Sequence, residues 1–357
     1  MQAISPFERL TSLRALWLAA RRAARGKRRR SSVARTLFNL EHTIFELQEQ
    51  LRNHTWHPGR AQRHEIFDPK PRSISAAPFT DRIVHQALAA EIGPVLDRHL
   101  IHHSYACRRG KGTHAALRQA KRWARENPFF LHLDVAKFFP TLDHETLLRM
   151  LTRDIRCSKT FSLCERIVRE GTFDAVRWHF PGDPLFAPLT RGVGLPIGNL
   201  TSQHFANRYL SPIDHRIKDR LRVRAYLRYM DDMLLFGNDA KHLARWGNEI
   251  ERHCLEHRLR LHPWQVRRTN DGVGWLGFRI LPHEVRVKRT SVNRAKARLL
   301  RLNKNIGDEE GRQTLLASIR STFAHWKHGT TWRLRTEVLR ELGLLPEESE
   351  DADAPGE

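Results

Sequence analysis

Three aspartates in this sequence have surroundings that suit a divalent-cation site. Asp231 and Asp232 stand side by side between two short apolar runs, and Asp134 lies near the end of a third. Adjacent carboxylates repel each other, so cations that neutralise them make such a pair favourable. Two divalent cations held by converging carboxylates can activate a hydroxyl and stabilise a leaving pyrophosphate, which is the chemistry of phosphoryl transfer. An Asp-Asp pair alone is more often an ordinary turn, so its surroundings must decide.

The elements that must position these aspartates are strands. Residues 129–135 form a short apolar run, partly alternating, that predicts a buried strand ending beside Asp134. The runs 223–228 and 233–236 predict the arms of a hairpin with Tyr229-Met230-Asp231-Asp232 between them. Because a strand end can meet the turn of a neighbouring hairpin, we expect the three carboxylates to converge there.

Helical periodicity and chain breakers divide the remainder of the sequence. Helical patterns cover the following segments: 1–36, 37–53, 81–100, 112–127, 144–151, 162–169, 201–221, 241–259 and 292–342. Prolines and glycines predict loops with short strands at 58–78 and a loop at 171–194, and a second strand pair is predicted at 274–281 with 285–288. Hairpin-linked strands mixed with helices predict the α+β class, with an antiparallel sheet packed on helices.

The composition indicates a polyanionic partner, with nucleic acid the first candidate. The chain has 62 Lys and Arg against 39 Asp and Glu, a net charge of +23. Basic residues concentrate at 21–35, where we expect RNA contact, and at 286–301. No run approaches the roughly 18 apolar residues that span a bilayer, and the N-terminus lacks a secretory pattern. We therefore expect no membrane partner and a cytoplasmic location. The cysteine and histidine spacings match no recognised zinc pattern, so we do not expect a structural zinc site.

Several motifs, in chain order, resemble those of reverse transcriptases. Tyr229-x-Asp231-Asp232 and the Asp134-x-x-x-Phe138-Phe139 segment are similar to the metal-binding motifs of the family's palm. Other blocks resemble family motifs of the fingers, the template site and the primer grip: 70–72, 79–85, 104–112, 194–203 and 275–278. The resemblance implies a right-hand polymerase fold with fingers, palm and a helical thumb.

The resemblance also implies domain boundaries, which we state as expectations. They are a basic N-terminal helical extension at 1–36, fingers at 37–130, a palm at 131–282 with a fingers insertion around 144–194, a helical thumb at 283–342, and an acidic disordered tail at 343–357.

The family's activity is RNA-directed DNA polymerisation with two Mg²⁺ ions, for which Mn²⁺ can substitute. The implied catalytic residues are the three aspartates, and the implied metal ligands are Asp134, the Val135 carbonyl, Asp231 and Asp232, of which Asp232 is the outer or weaker one. The implied dNTP contacts are Lys70, Arg72, Lys137, Phe138, Phe139 and Gln203. The implied template and primer contacts are Arg108, Arg109, Lys111, Gly198, Trp275, Gly277, Phe278, Lys288 and Arg289.

Several of these roles have a plain structural alternative. Phe139 resembles the family's sugar gate, whose ring excludes a 2′-hydroxyl, whereas we expect Phe138 to pack in the core. The basic residues between Arg108 and Lys111 fit either a template grip or a solvated loop. Trp275 and Phe278 fit either a primer grip or hairpin packing.

The segment Ile197-Gly198-x-x-x-Ser202-Gln203 narrows the resemblance. Most relatives carry Gln-Gly and Ser-Pro at these places, whereas Ile-Gly with Ser-Gln resembles the reverse transcriptases of diversity-generating retroelements. That subclass implies copying of a template RNA into cDNA with errors opposite adenine, and a small accessory variability protein as partner. The residue pair Ile197 and Gln203 is a candidate source of relaxed fidelity, or else packs the start of a helix.

Other interpretations remain open at this point. They are a reverse transcriptase of another prokaryotic class (defence-associated or group II intron-like), a non-catalytic RNA-binding relative and a template-independent transferase. One departure from the family concerns Gln265, which stands where relatives often have a Lys that could protonate the leaving pyrophosphate.

Overall fold

The computed structural model describes residues 4–66, 72–170 and 175–346. Its α-helices are α1 Pro6–Leu10, α2 Leu13–Ala23, α3 Ser31–Phe38, α4 Leu40–Arg52, α5 Phe79–Asp97, α6 Thr113–Glu126, α7 Phe138–Thr141, α8 His144–Asp154, α9 Ser158–Glu170, α10 Ala187–Thr190, α11 Leu200–His215, α12 Ala240–Glu256, α13 Arg289–Lys304, α14 Glu309–Trp326 and α15 Trp332–Glu341. Its strands are β1 Gln62–Ile66, β2 Arg72–Ala76, β3 Phe129–Asp134, β4 Tyr226–Tyr229, β5 Asp232–Gly237, β6 Val266–Arg268, β7 Val273–Trp275, β8 Phe278–Ile280 and β9 Val285–Val287.

The strands form three sheets, with the orders β1-β2, β4-β5-β3-β6 and β7-β8-β9. The pairings of β1 with β2, of β3 with β6, and of β8 with β7 and β9 are antiparallel. In the four-stranded sheet β5 lies next to β3, so the strand that starts at Asp232 neighbours the strand that ends at Asp134. This mixture of helices and antiparallel sheets confirms the predicted α+β class.

The chain divides into two compact units. The first comprises Met1–Gly112, His132–Met233 and Ala244–Trp264, and the second comprises Thr113–Leu131, Leu234–Leu243 and Gln265–Glu357. The boundaries predicted for fingers, palm and thumb stay predictions.

Helix α5 is the centre of the first unit. Its hydrophobic residues lie all round its axis, as expected of a helix covered on every side, and α2 and α11 pack against it. In the second unit the aromatic residues of β7 and β8 are buried, and β8 lies against α6. Helices α13 and α14 pack on each other around Leu299, Leu315 and Ile319.

Local signals account for most element boundaries, and the structure differs from the predicted elements at three places. The N-terminal helical region is three helices, because Ser5 and Ser12 each cap a new helix start. The helix predicted through residue 221 loosens into a π-helical turn at Arg216–Arg220. The predicted strand 274–281 is two strands, because Leu276 and Gly277 adopt positive φ angles of 46° and 85° and reverse the chain.

Some predictions fall on residues that the structure does not describe. Lys70 and most of the acidic tail, 347–357, lie outside the described residues, and Arg72 is described only as part of the backbone of β2. Within the described part of the chain, no helix is long and apolar enough to cross a bilayer.

Candidate active site

Strand β3 carries Asp134 to the edge of the buried core. Leu131 and Leu133 are fully buried, whereas Asp134, the last residue of the strand, is half-buried. Backbone hydrogen bonds fix this end: the carbonyl of Asp134 accepts from the amide of His262 at 2.9 Å, and the carbonyl of Arg260 accepts from the amide of Ala136 at 2.8 Å. The carboxylate therefore stands on a strand end whose backbone is held.

The turn between β4 and β5 presents Asp231 and Asp232. Met230 has a φ of 57°, a left-handed conformation that costs a non-glycine residue about 1–2 kcal/mol, so the surrounding structure must hold it. The arms supply part of that support, because every residue from 233 to 236 is buried, while the turn residues are half-buried. The apolar arms thus anchor a turn that reaches toward solvent with two carboxylates.

A buried ion pair lies beneath this turn. The guanidinium of Arg228, in β4, donates to both carboxylate oxygens of Asp214, in α11, at 2.7–3.0 Å, and both side chains are fully buried. Arg228 also donates to the carbonyl of Met230 at 2.9 Å and to the side-chain oxygen of Asn207 at 3.0 Å. The hydroxyl of Tyr226 donates to Asp214 at 2.6 Å. Arg228 therefore connects α11 to the carbonyl at the apex of the turn.

The charge of Arg228 survives burial because of its partners. Burial opposes the charged form, but the Asp214 carboxylate outweighs burial and, with a smaller contribution from Asp231, raises the pKa of Arg228. Burial together with Asp214 raises the pKa of the Tyr226 hydroxyl well above its usual value, which keeps it a neutral donor. A permanent positive charge thus supports the acidic turn from below.

His132 links the two strands that carry the aspartates. Its Nε2 lies 2.8 Å from Oδ1 of Asp232, and both side chains are about one-third exposed. His132 precedes Asp134 by two residues on β3, so its side chain leaves the same face of the sheet. The contact fixes the orientation of Asp232 relative to the strand that ends at Asp134.

The donor chemistry of this corner fits a hard divalent cation, since aspartate and backbone carbonyl oxygens are the ligands that Mg²⁺ prefers. Among the described residues, a group of three potential metal ligands with atoms within 4.8 Å of one another lies elsewhere, at His253, Glu256 and His257.

The residues after Asp134 differ in exposure. Val135 and Phe138 are 2% exposed, Phe139 is half-buried and Lys137 is exposed. The ring of Phe138 therefore packs in the core, which is the packing role expected for it, and this burial does not fit the dNTP contact that the resemblance implied for Phe138. The carbonyl of Phe139 accepts from the amide of Leu195 at 2.9 Å, so the position of the expected sugar gate is fixed by the segment before Gly198.

The basic loop predicted to hold the template is attached to β4. The amides of Tyr105 and Arg228 donate to the carbonyls of Arg228 and His103, respectively, at 2.9 and 3.0 Å. Within the loop, Arg108 is committed to the protein, because it donates to both oxygens of Asp97 and to two backbone carbonyls. Arg109 is exposed, and Lys111 lies 3.1 Å from a ring nitrogen of His102. Arg109 is thus the better placed of the two arginines for an external phosphate.

Gly198 lies against the β1-β2 hairpin. Its φ is 122°, and a Cβ atom there would lie 2.7 Å from the carbonyl oxygen of Ser75, so no other residue fits without displacing backbone. The amide of Ser75 donates to the carbonyl of Ile197 at 2.9 Å. Because Gly198 has no side chain, its backbone can therefore approach strand β2 closely. Gln203, half-buried, follows on the first turns of α11.

A basic cavity of about 750 Å³ opens beside Gly198. Its lining includes four cationic residues, Lys27, Arg30, Arg60 and Arg82, and no acidic residue is among the described residues that line it. Burial and the nearby Arg30 lower the pKa of Arg82, and burial and Arg82 lower the pKa of Lys27. The cations are crowded enough to oppose one another's charge, and an anion in the cavity would relieve that repulsion.

The second unit holds the residues predicted for the primer grip. Trp275 and Phe278 are 1% and 0% exposed, so both rings pack in the core, and Gly277 forms the turn between them. The amide of Lys288 donates to the carbonyl of Gly277 at 3.0 Å, and the exposed Arg289 begins α13. The backbone of the turn, half-buried Lys288 and exposed Arg289 are accessible to a nucleic acid here, whereas the two aromatic rings are not.

The residues that support the site were not predicted from the sequence. Asp214 and His132 carried no local signal, because their partners are distant in the chain. Arg228 did carry one: it is a charged residue in a strand whose pattern is otherwise apolar, and such a residue requires a buried partner.

Comparisons with known proteins identify the family of this chain. Residues 66–280, more than half of the chain, match the family model described as reverse transcriptase (RNA-dependent DNA polymerase). Protein YkfC of Escherichia coli K12 is 26% identical over 66% of this chain and 70% of its own length. The group II intron-encoded protein LtrA of Lactococcus lactis is 23% identical over 49% of this chain, which spans only 28% of that relative. A telomerase from Candida albicans, solved with a telomeric RNA fragment, aligns with a TM-score of 0.47 at 10% identity over 79% of this chain and 55% of its own. The chain therefore belongs to the reverse transcriptase (RNA-dependent DNA polymerase) family.

Proposed function

We propose that this chain copies a template RNA into cDNA by nucleotidyl transfer at Asp134, Asp231 and Asp232, with two Mg²⁺ ions. The family uses divalent metal ions, and membership agrees with the predicted RNA-directed DNA polymerase. The observation that carries the proposal is the buried Arg228–Asp214 pair beneath the turn. A fold that only binds RNA has no need to stabilise two adjacent carboxylates with a desolvated counter-charge.

The residues around Asp134, Asp231 and Asp232 have distinct roles in the proposed reaction. The bound cations would supply charge neutralisation for the attacking hydroxyl and the leaving pyrophosphate. Asp134 and Asp231 hold carboxylates at a strand end and a turn, and His132 orients Asp232. The half-buried ring of Phe139 would exclude a ribose 2′-hydroxyl. Lys137, exposed beside it, is placed to contact the triphosphate as a flexible cation.

Primer extension on an RNA template tests the activity. With dNTPs and Mg²⁺ the full chain should extend a DNA primer, and EDTA should stop it. Asp231→Asn should lower the rate at least about a thousandfold, since it removes a charge proposed to hold the cations that stabilise the transition state. RNA binding, followed by fluorescence anisotropy, should be unchanged in that variant.

Asp239→Asn is the matched control for this substitution. Asp239 is exposed, and its side chain accepts from the amide of Lys241 at the start of α12, a role that asparagine fills equally well. It should keep full activity. Equal primer extension by the Asp231 and Asp239 variants, or extension that ignores the template, would exclude the proposed reaction.

We further propose the error-prone, adenine-mutagenic enzyme of a diversity-generating retroelement, acting with a small accessory variability protein. The support is the Ile197-Gly198 and Ser202-Gln203 pattern, together with the contact that joins Ile197 to β2. Sequencing of cDNA products should find errors concentrated opposite template adenines, and Ile197→Gln should reduce them. Evenly distributed, rare errors would exclude this subclass.

A group II intron-like reverse transcriptase is the second candidate. The similarity to LtrA, and to a putative COX1/OXI3 intron 1 protein of Saccharomyces cerevisiae at 23% identity over 43% of this chain, favours it. Accurate cDNA synthesis on long structured RNA, with no bias at adenines, is the result that this candidate predicts.

A further inference from the structure

The end of helix α12 gathers three potential metal ligands that take no part in the proposed polymerase reaction. His253, Glu256 and His257 are spaced i, i+3 and i+4, which places them on one face of a helix. Nδ1 of His253 lies 2.8 Å from Oε2 of Glu256, and the rings of His253 and His257 have centroids 4.4 Å apart. One ligand atom from each of the three lies within 4.8 Å of the others.

The ligand types select the class of ion. Two imidazole nitrogens and one carboxylate oxygen suit Zn²⁺ and its first-row neighbours, whereas Mg²⁺ prefers oxygen ligands only. The side chain of His253 is 16% exposed and that of Glu256 is 60% exposed, so the site opens to solvent on the carboxylate side. An ion can enter there, and water can complete a four-coordinate shell.

His257 is already oriented as a ligand. Its Nδ1 lies 3.0 Å from the carbonyl of His253, and since a carbonyl only accepts, Nδ1 carries the proton and the neutral ring keeps its lone pair on Nε2. A backbone partner on the second ring nitrogen is the usual support of a metal-binding histidine.

The backbone at this helix end is fixed from the core. The hydroxyl of Tyr209, in α11, donates to the carbonyl of His257 at 2.7 Å, and Tyr209 is fully buried. Arg258 then turns the chain with a φ of 57°, and the amide of Leu259 donates to the carbonyl of Cys254 at 2.9 Å. The ligands therefore lie on an anchored helix terminus rather than on a frayed one.

This terminus leads directly to the segment that holds the catalytic strand. Arg260 and His262 make the backbone hydrogen bonds to Ala136 and Asp134 described above. We propose that His253, Glu256 and His257 form a second metal site that takes Zn²⁺ and stabilises the end of α12 next to the segment paired with Asp134. Zn²⁺ would lie between His253 and Glu256 in place of their hydrogen bond, and the ring of His253 would keep its proton on the nitrogen that does not bind the ion.

Calorimetric titration of the EDTA-treated full chain with Zn²⁺, in excess Mg²⁺, tests the site. The unchanged protein should bind one Zn²⁺ tightly, and Co²⁺ in its place should give the absorption of a four-coordinate, nitrogen-ligated ion. Glu256→Gln and His253→Gln should each weaken Zn²⁺ binding at least about tenfold. The thermal transition should rise with Zn²⁺ in the unchanged protein and not in these variants.

Two controls make the outcome decisive. His242→Gln removes an exposed histidine from the same helix and should bind Zn²⁺ normally. Asp231→Asn should also retain Zn²⁺, which separates this site from the polymerase site. Glu256 is largely exposed, so its variant should fold, as circular dichroism will verify. Absence of tight Zn²⁺ binding, equal binding by all variants, or loss with Asp231→Asn alone would overturn the proposal.

Discussion

Two tight turns in this molecule use opposite means to hold their residues. The turn proposed as catalytic (the catalytic turn, Tyr229–Asp232) carries two carboxylates and lies over the buried Arg228–Asp214 pair. The aromatic turn, Trp275–Phe278, directs its two rings into the core, and the two residues between them are half-buried. Each contains a non-glycine residue at positive φ, Met230 in one and Leu276 in the other.

The difference shows where each turn obtains its stability. Charged side chains cannot stabilise their own turn, because they repel each other and favour water, so the support must come from other elements. Aromatic side chains supply that support themselves through burial. A motif found at a turn therefore predicts a function for its side chains only when those side chains remain accessible.

The largest effect is expected from Asp214→Asn. It leaves the Arg228 charge buried without a counter-charge and should lower the free energy of unfolding of the first unit by about 3–5 kcal/mol. Chemical denaturation measures the change, and primer extension should fall as well because the turn loses its support. Asp219→Asn, at a residue whose side chain is 66% exposed, should change stability by less than about 0.5 kcal/mol. Similar results for both variants would show that the Arg228–Asp214 pair does not support the turn.

Phe278→Ala should cost the second unit about 3 kcal/mol, because it empties a fully buried ring site. The rate of primer extension per folded molecule, measured well below the unfolding transition, should change little. Trp332→Ala, at a residue 74% exposed, should cost about 1 kcal/mol or less. A large loss of rate without a loss of stability in Phe278→Ala would indicate that the ring of Phe278 contacts the primer.

His132→Leu should lower kcat about tenfold, equivalent to about 1.4 kcal/mol, because Asp232 loses the contact that orients it. His132→Gln keeps a donor at this position and should restore most of the rate. Unfolding of both variants should match that of the unchanged protein, since the contact is partly exposed. If the leucine variant has full activity, Asp232 does not need this partner.

The smallest effects are expected when the residue at positive φ in each turn is replaced by glycine. Leu276→Gly relieves a left-handed conformation and should raise the stability of the second unit by about 0.5 kcal/mol, with unchanged activity. Met230→Gly relieves the same strain but widens the range of conformations of the catalytic turn, so kcat should fall severalfold. Equal responses at the two positions would mean that activity does not depend on the backbone conformation of Met230.

Much of the fold was predictable because its signals are local. The strand ending near Asp134 and the hairpin around Asp231 follow from short apolar runs, and the helices from their periodicity. Burial was less accessible to sequence reasoning: the two aromatics at 275 and 278 fit a binding surface and a core equally well, and only packing distinguishes the two. The strand predicted over 274–281 failed because Leu276 gives no sign that it adopts a positive φ.

The acidic residues of the candidate site could be predicted from the sequence, whereas the residues that support them could not. Asp214 lies on a helix, 14 residues before Arg228, and nothing in the local pattern pairs them. The cluster at His253, Glu256 and His257 did have a local signal, the i, i+3, i+4 spacing, but this spacing matched none of the zinc patterns considered. Interactions within one element can be found in a sequence, whereas interactions between elements require the structure.

The attachment of the 103–105 segment to Arg228 has a consequence for the behaviour of the protein in concentrated solution. Strand β4 is the outermost strand of its sheet, and an outer strand with open backbone groups is a template for pairing with another chain. The hydrogen bonds between Arg228 and this segment occupy the amide and the carbonyl of Arg228, which a second molecule could otherwise use. The same loop that brings basic residues to the hairpin therefore also covers part of the edge of its sheet.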